Sequence, residues 1–209
     1  SKKPQATAIR SIMVVKLDDI GDMVYSLHVF EMLHKQFPHA DINLFCKKVN
    51  HDFFRHIPYV NIFDSGKDKF LKRQDVVIDL RGNFKSLWYA FSRGCQFYFD
   101  RGSVRLKNKY SGGQKQEVFT NHEIIEDLIG DTEFEYPKIQ LSDTEVINVD
   151  NWLKVNNLDK YVVMHTGAND PARRWPADRY IALAKYLFDK HALRTVLVGA
   201  PGEQSPPLQ

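Results

Sequence analysis

Two cysteines in 209 residues, Cys46 and Cys95, are too few for a disulfide framework, and neither has metal-ligand spacing or a nearby histidine partner. Both read as free, buried thiols of a reducing compartment. No apolar run approaches the ~18 residues of a membrane span, and the polar stretch Ser1 to Arg10 leads into no signal-like apolar core. A cytoplasmic protein is expected, with peripheral attachment to the inner leaflet left open. Glycine is sparse where a dinucleotide fold would need it: Gly21 stands alone after the first apolar strand, without a Gly-x-Gly-x-x-Gly turn, which argues against a nicotinamide-dependent oxidoreductase. Aromatic residues are not interleaved with the basic ones at base-stacking spacing, so no nucleic acid partner is expected. The eight histidines are scattered, and His28 and His34 share a helix face without a third ligand, so no metal is expected.

What remains is a chain that can bury a core, with 43% hydrophobic and 12% aromatic residues and a mild net charge of +3. Apolar runs and helix-period stripes alternate along it. Strands are expected at 12–17, 41–46, 60–63, 75–80 and 96–100, with helices at 22–36, 49–56 and 85–93 between them. That order predicts a mostly parallel α/β sheet covered on both faces. Helices at 119–129 and 143–156 follow, then a strand at 161–165, a helix at 176–190 and a strand at 195–198. A domain boundary is placed near Asn157 to Lys160, giving domains 1–157 and 158–209.

Two strand-to-helix turns carry chemistry. In the first, Val14-Val15 leads through Lys16-Leu17-Asp18-Asp19-Ile20 to Gly21-Asp22. Gly21 allows a tight turn and close ligand approach, and Asp22 falls in the first helical turn, where free N–H groups favour an anion. Asp22 either complements the helix dipole or does chemistry. A carboxylate so stabilised is also a weaker base, so it either deprotonates a hydroxyl or only orients it. In the second turn, Val162-Val163-Met164-His165-Thr166-Gly167-Ala168 leads to Arg173-Arg174-Trp175-Pro176. Paired arginines beside a helix start suit phosphate, because guanidinium forks to its oxygens. Taken alone they read as solvated charges flanking a buried Trp175.

Together these segments resemble glycosyltransferase family 9, the heptosyltransferase-like enzymes. The resemblance rests on Lys16-Leu17-Asp18-Asp19-Ile20-Gly21-Asp22-Met23-Val24-Tyr25-Ser26-Leu27, Phe37-Pro38-His39-Ala40-Asp41-Ile42, Asp79-Leu80-Arg81-Gly82-Asn83-Phe84-Lys85-Ser86 and His122-Glu123-Ile124. It continues through His165-Thr166-Gly167-Ala168, Arg174-Trp175-Pro176, Arg179-Tyr180 and Val198-Gly199-Ala200-Pro201-Gly202-Glu203. It implies a GT-B fold, a Rossmann-like acceptor domain followed by a nucleotide-sugar domain. The implied activity is inverting transfer of a sugar, ADP-heptose being the leading donor, to a lipopolysaccharide-core-like acceptor, without an essential metal or other cofactor. The alternative is a non-catalytic sugar-nucleotide or lipid-core binding module.

By the same resemblance Asp22 is the general base, and Thr166, Gly167, Arg173, Arg174 and Glu203 bind the donor, Arg173 at its phosphate and Glu203 at its ribose. Asp18, Asp19, Gly21, Arg81, Asn83 and Lys85 are the acceptor-side candidates. Enteric heptosyltransferases carry small hydroxyl residues where this chain has Asp18 and Asp19, which implies a different acceptor or donor sugar. Family members also continue past this length, so the second domain reads as incomplete and the chain as truncated at its carboxyl end. Arg101, Arg105, Lys107, Lys109 and Lys115 cluster without an acid among them and suit an anionic glycolipid or lipid head group, or simply a solvated loop tipped by Gly112-Gly113. Lys67, Lys69, Lys72 and Arg73 form a second basic segment of the same kind.

Overall fold

Five parallel strands form the sheet of the first unit: β1 (Ser11–Lys16), β2 (Asp41–Cys46), β3 (Val60–Asp64), β4 (Gln74–Asp79) and β5 (Cys95–Asp100), in the order β3-β2-β1-β4-β5. The computed structural model describes residues 8–68, 73–82, 84, 86–88, 94–113, 115–168 and 170–199. β1 and β2 are buried on both faces, which is why they read as continuous apolar runs rather than alternating ones. Successive side chains still part to opposite faces. Ile12 and Val14 join Ile42, Leu44, Val76 and Ile78 in the larger core, whereas Met13 and Val15 pack with Phe45 and Val77 on the other face. The chain builds β1 to β3 in one direction and then returns to place β4 beside β1. β1 and β4 therefore flank the topological switch point, where open α/β sheets bind ligands outside the carboxyl ends of their strands.

The expected helix over 22–36 is two helices, α1 (Ile20–Val24) and α2 (Leu27–Gln36). The break is local chemistry. Ser26 Oγ donates to the carbonyl of Asp22 at 3.1 Å and Ser26 N bonds the Met23 carbonyl at 2.8 Å, so the turn tightens where the helix would otherwise continue. α2 buries Leu27, Val29, Phe30 and Leu33, and the Phe30 ring meets Phe54 edge-on at 4.7 Å. Phe54 closes a 3-10 helix, Lys48–Phe54, where an α-helix over 49–56 is expected from the sequence. The helix expected at 85–93 lies largely outside the described residues.

A larger correction concerns the basic segment after β5. It is not a loop: Arg101–Ser111 forms helix α3. Asp100 caps it, accepting from Ser103 N at 3.0 Å, Val104 and Asn108 face inward, and the Gly112-Gly113 pair ends it. α4 (Glu117–Ile129) follows, burying Val118, Ile124, Ile125 and Leu128.

The chain divides into Ser1–Leu141 and Ser142–Gln209. The expected boundary at 157 lies one helix later. α5 (Asp143–Val155) goes with the second unit, opening on a capping box in which Ser142 accepts from Glu145 N and Glu145 accepts from Ser142 N. Its carboxyl end is tied to that unit by Arg194, whose guanidinium reaches the Asn156 carbonyl at 3.4 Å. The second unit continues with β6 (Tyr161–His165), α6 (Ala177–His191) and β7 (Arg194–Val198), the two strands pairing in parallel.

Candidate active site at the carboxyl edge of the first sheet

β1 ends in a charge where its apolar pattern predicts another core residue. Lys16 has no exposed side-chain surface, and its ammonium lies 3.0 Å from Asp18 Oδ2 and 3.7 Å from Glu117 Oε1 while donating to the Leu80 carbonyl at 3.3 Å. Burial pushes the Lys16 pKa down to about 8, with the Glu117 carboxylate opposing that shift. The two carboxylates in turn hold guanidinium groups. Asp18 pairs with Arg81, and Glu117 pairs with Arg101 at 2.6 Å and Arg105 at 3.2 Å. One buried ammonium thus joins the ends of β1 and β4 to the starts of α3 and α4.

Asp22 stands in the first turn of α1, exposed, and close enough for its charge to act on both Lys16 and Arg101. The neighbouring Asp19 is also exposed and pairs with Lys47 at 2.7 Å. Asp18 is different: it is 5% exposed and turned inward to Lys16 and Arg81, so its carboxylate positions the site's cations. Gly21 departs from expectation. It belongs to α1 without a positive φ, and a Cβ there would meet nothing within 4 Å, so the backbone does not require glycine and the space beside it is open.

The turn after β4 is organised by a residue the sequence reading did not single out. Asp79, fully buried, accepts from the backbone N–H groups of Arg81 and Gly82 at 2.9 Å each, from Ser86 Oγ at 2.5 Å and from Tyr98 OH at 3.0 Å. Burial and the Asp79 charge raise the Tyr98 pKa, which keeps the phenol a donor. Gly82 has a φ of 66° and would crowd Arg101 with a Cβ at 3.2 Å, so here glycine is required by the backbone. Asn83 and Lys85 lie outside the described residues. Lys16, Asp79 and Glu117 escape sequence reasoning because each acts through distant partners. The available signal was a lysine continuing a buried apolar strand.

In the second unit Thr166 is buried and Gly167 half-buried just after β6. Arg174 folds back, its Nε donating to the Ala168 carbonyl at 2.8 Å, while Arg173 is exposed with Asp170 at 3.8 Å. Asp170 also caps the 3-10 turn Pro171–Arg173 by accepting from Ala172 N at 3.0 Å. Trp175 is not buried as expected: it is 42% exposed, its ring edge-on to Tyr180 at 5.0 Å. Pro176 caps α6 from outside rather than opening it. Glu203 lies outside the described residues. Cys46 is buried and Cys95 half-buried, both free. Among the described residues no group of His, Cys, Asp and Glu is arranged to hold a metal ion, and no helix is long and apolar enough to cross a membrane.

Residues 68–206 match the sequence model of glycosyltransferase family 9 (heptosyltransferase). The chain belongs to glycosyltransferase family 9. Within that family-9 chain the match begins beyond Asp22, so the first turn rests on its own geometry and motif. A family 9 glycosyl transferase from Veillonella parvula shares the fold with a TM-score of 0.69 and 18% identity, over 92% of this chain and 63% of that one. The E. coli heptosyltransferase WaaC with ADP follows at a TM-score of 0.62 and 19% identity, over 91% and 67% of the two chains. WaaC with ADP-2-deoxy-2-fluoro heptose gives 0.62 and 16%, over 92% and 70%. At such identities the likeness is one of fold: GT-B type, with a Rossmann-like first unit and a second unit whose described part is a two-stranded parallel sheet with its helices. This family-9 chain spans 63% of the length of the Veillonella structure. No curated protein sequence is a significant match.

Proposed function

We propose that this chain supplies the acceptor-binding domain and the opening of the donor-binding domain of an inverting glycosyltransferase. The sugar, a heptose in this reading, leaves a nucleotide-diphosphate donor such as ADP-heptose for a lipopolysaccharide-core-like acceptor. The observation that carries the reading is Asp22, an exposed carboxylate at a helix start on the carboxyl edge of β1, beside a cationic set built on Lys16, Arg81 and Arg101. Family membership and the ADP-bearing heptosyltransferase with the same fold support it.

The chemistry asks for one base. An acceptor hydroxyl attacks the anomeric carbon opposite the leaving group, and Asp22 takes its proton as the new C–O bond forms. The bond to the diphosphate breaks, and the nucleoside diphosphate departs with the electron pair. In this reading Thr166, Gly167, Arg173, Arg174 and Glu203 are the donor-side groups, and the guanidinium charges of Arg173 and Arg174 suit a departing phosphate without a metal. Asp19, Gly21, Arg81, Asn83 and Lys85 are the acceptor-side candidates, and Asp18 holds Arg81 through its ion pair. The enzyme works in the cytoplasm at the inner membrane, where α3 offers Arg105, Lys107 and Lys109 beside exposed Leu106 and Tyr110 to an anionic glycolipid surface.

The test is transfer by the protein that carries this chain. Asp22→Ala lowers turnover roughly 10²- to 10⁴-fold while leaving nucleotide-diphosphate binding intact, whereas Arg173→Ala weakens that binding. Unchanged turnover in Asp22→Ala removes Asp22 as the base, whereas nucleotide binding without any transfer by the unmodified protein leaves a sugar-nucleotide binding module as the better reading.

A further inference from the structure

A second site lies away from the carboxyl edge, on the outer side of the first unit. A cavity of about 230 Å³, open at its mouth, sits between α2 and the segment that follows α4, with His28, Met32, Ile129 and Thr132 among its walls. His28 is 3% exposed, and neither of its ring nitrogens has a hydrogen-bond partner. The His122 ring stacks on it at 6.0 Å and Phe134 meets it edge-on at 5.6 Å, which fixes the imidazole without satisfying it. Buried polar groups in folded proteins are hydrogen-bonded with few exceptions, and an unmet one beside a cavity points to an occupant.

The walls restrict what the occupant is. Glu31, Glu133 and Glu135 line the cavity and repel an anion. Lys35 shares the wall and is held by Glu31 at 2.9 Å and Glu135 at 3.0 Å, which matches part of that negative charge, with Glu133 the third carboxylate. Against Met32 and Ile129 the wall is apolar and offers a charged group no partner. An uncharged imidazole presents one N–H and one lone pair, and a hydroxyl can answer either. An apolar cavity of ~150 Å³ accommodates a benzene ring, so the space here takes a ring with a substituent.

We propose that this cavity binds a small, uncharged, hydroxyl-bearing ring of phenol size, its hydroxyl hydrogen-bonded to His28 and its ring against Met32 and Ile129. The site is independent of the transfer chemistry proposed for Asp22. Burial and the neighbouring His122 push the His28 pKa down to about 4, so the ring meets its ligand uncharged at neutral pH.

Phenol is the probe, titrated into the chain while NMR follows the His28 ring and the Met32 methyl. Saturable shifts of both signals are expected with a Kd on the order of 1 mM. Benzene binds roughly fivefold more weakly for want of the hydrogen bond. Met32→Trp or Ile129→Phe, each filling the cavity from a different wall, abolishes the response, and His28→Phe erases the preference for phenol over benzene. Silence of both signals up to about 20 mM phenol overturns the proposal. So does benzene binding as tightly as phenol to the unmodified chain, glucose binding in phenol's place, or a phenol response that survives both cavity-filling variants.

Discussion

His28 and Lys16 are ionisable side chains kept inside the first unit, and they respond to pH through the same physical cause. Burial is the largest influence on each, moving the Lys16 pKa down to about 8 and the His28 pKa down to about 4. For His28 the folded-state pKa lies below the unfolded value, so the unfolded chain binds the extra proton first. Its contribution to stability is complete above about pH 6.5 and is lost as pH falls toward 4, a change of roughly 3 kcal/mol. Urea unfolding of the chain and of His28→Phe at pH 7.5 and pH 4 checks this: the stability lost on acidification is smaller in the variant by about that amount. A difference indistinguishable from zero removes His28 as the acid-sensitive group. At this scale the sequence was partly legible. Asp22, in the first helical turn, follows from the motif and from helix-terminus electrostatics. Asp79 does not, because its four donors come from a turn, a helix and a strand that only the fold brings together.

Among the elements, helix ends carry information that periodicity misses. α3 passes for a solvated loop because lysines and arginines dominate its sequence and few apolar residues mark a face. The Asp100 cap and the glycine pair at its end were the legible signals. α4 was read nearly to its bounds because its apolar stripe is strong and deeply buried, whereas α2 was read fused to α1, the stripe running across the break at Ser26. α6 ends differently, on Ala192 in the left-handed conformation with φ of 52°. Its N–H bonds the Phe188 carbonyl at 2.9 Å, the pattern glycine normally serves at a helix end. A Cβ is strained there, so Ala192→Gly raises the stability of the second unit by roughly 0.5–1 kcal/mol. Thermal unfolding followed by far-UV circular dichroism measures it, and an unchanged or lower midpoint contradicts the assigned strain.

At the scale of the whole molecule the two units differ in how much they bury. β1 and β2 are enclosed almost throughout, whereas α5 and α6 contain no buried residue and Val163 of β6 is 52% exposed. Local stability follows such burial. Amides of β6 and β7 therefore exchange with solvent at least about tenfold faster than those of β1 and β4, which hydrogen-exchange mass spectrometry or NMR reads directly. Equal protection in the two sheets contradicts this. The parallel α/β class was legible from the alternation of strands and helices. The division before Ser142 was not, because it depends on the capping box of α5 and on Arg194, whose partner lies across the unit. Lys16 also bears on the order of assembly. The central strand ends in an ammonium that pairs with Asp18 two residues on and with Glu117 roughly a hundred residues later, and Asp18 is itself shared with Arg81, so the full ion-pair set at the end of β1 draws on a distant element. Collapse of the first βα units leaves that charge incompletely matched until α4 docks, which couples the earliest strand to one of the last helices of the unit and favours slow, cooperative folding over stepwise growth from the amino end.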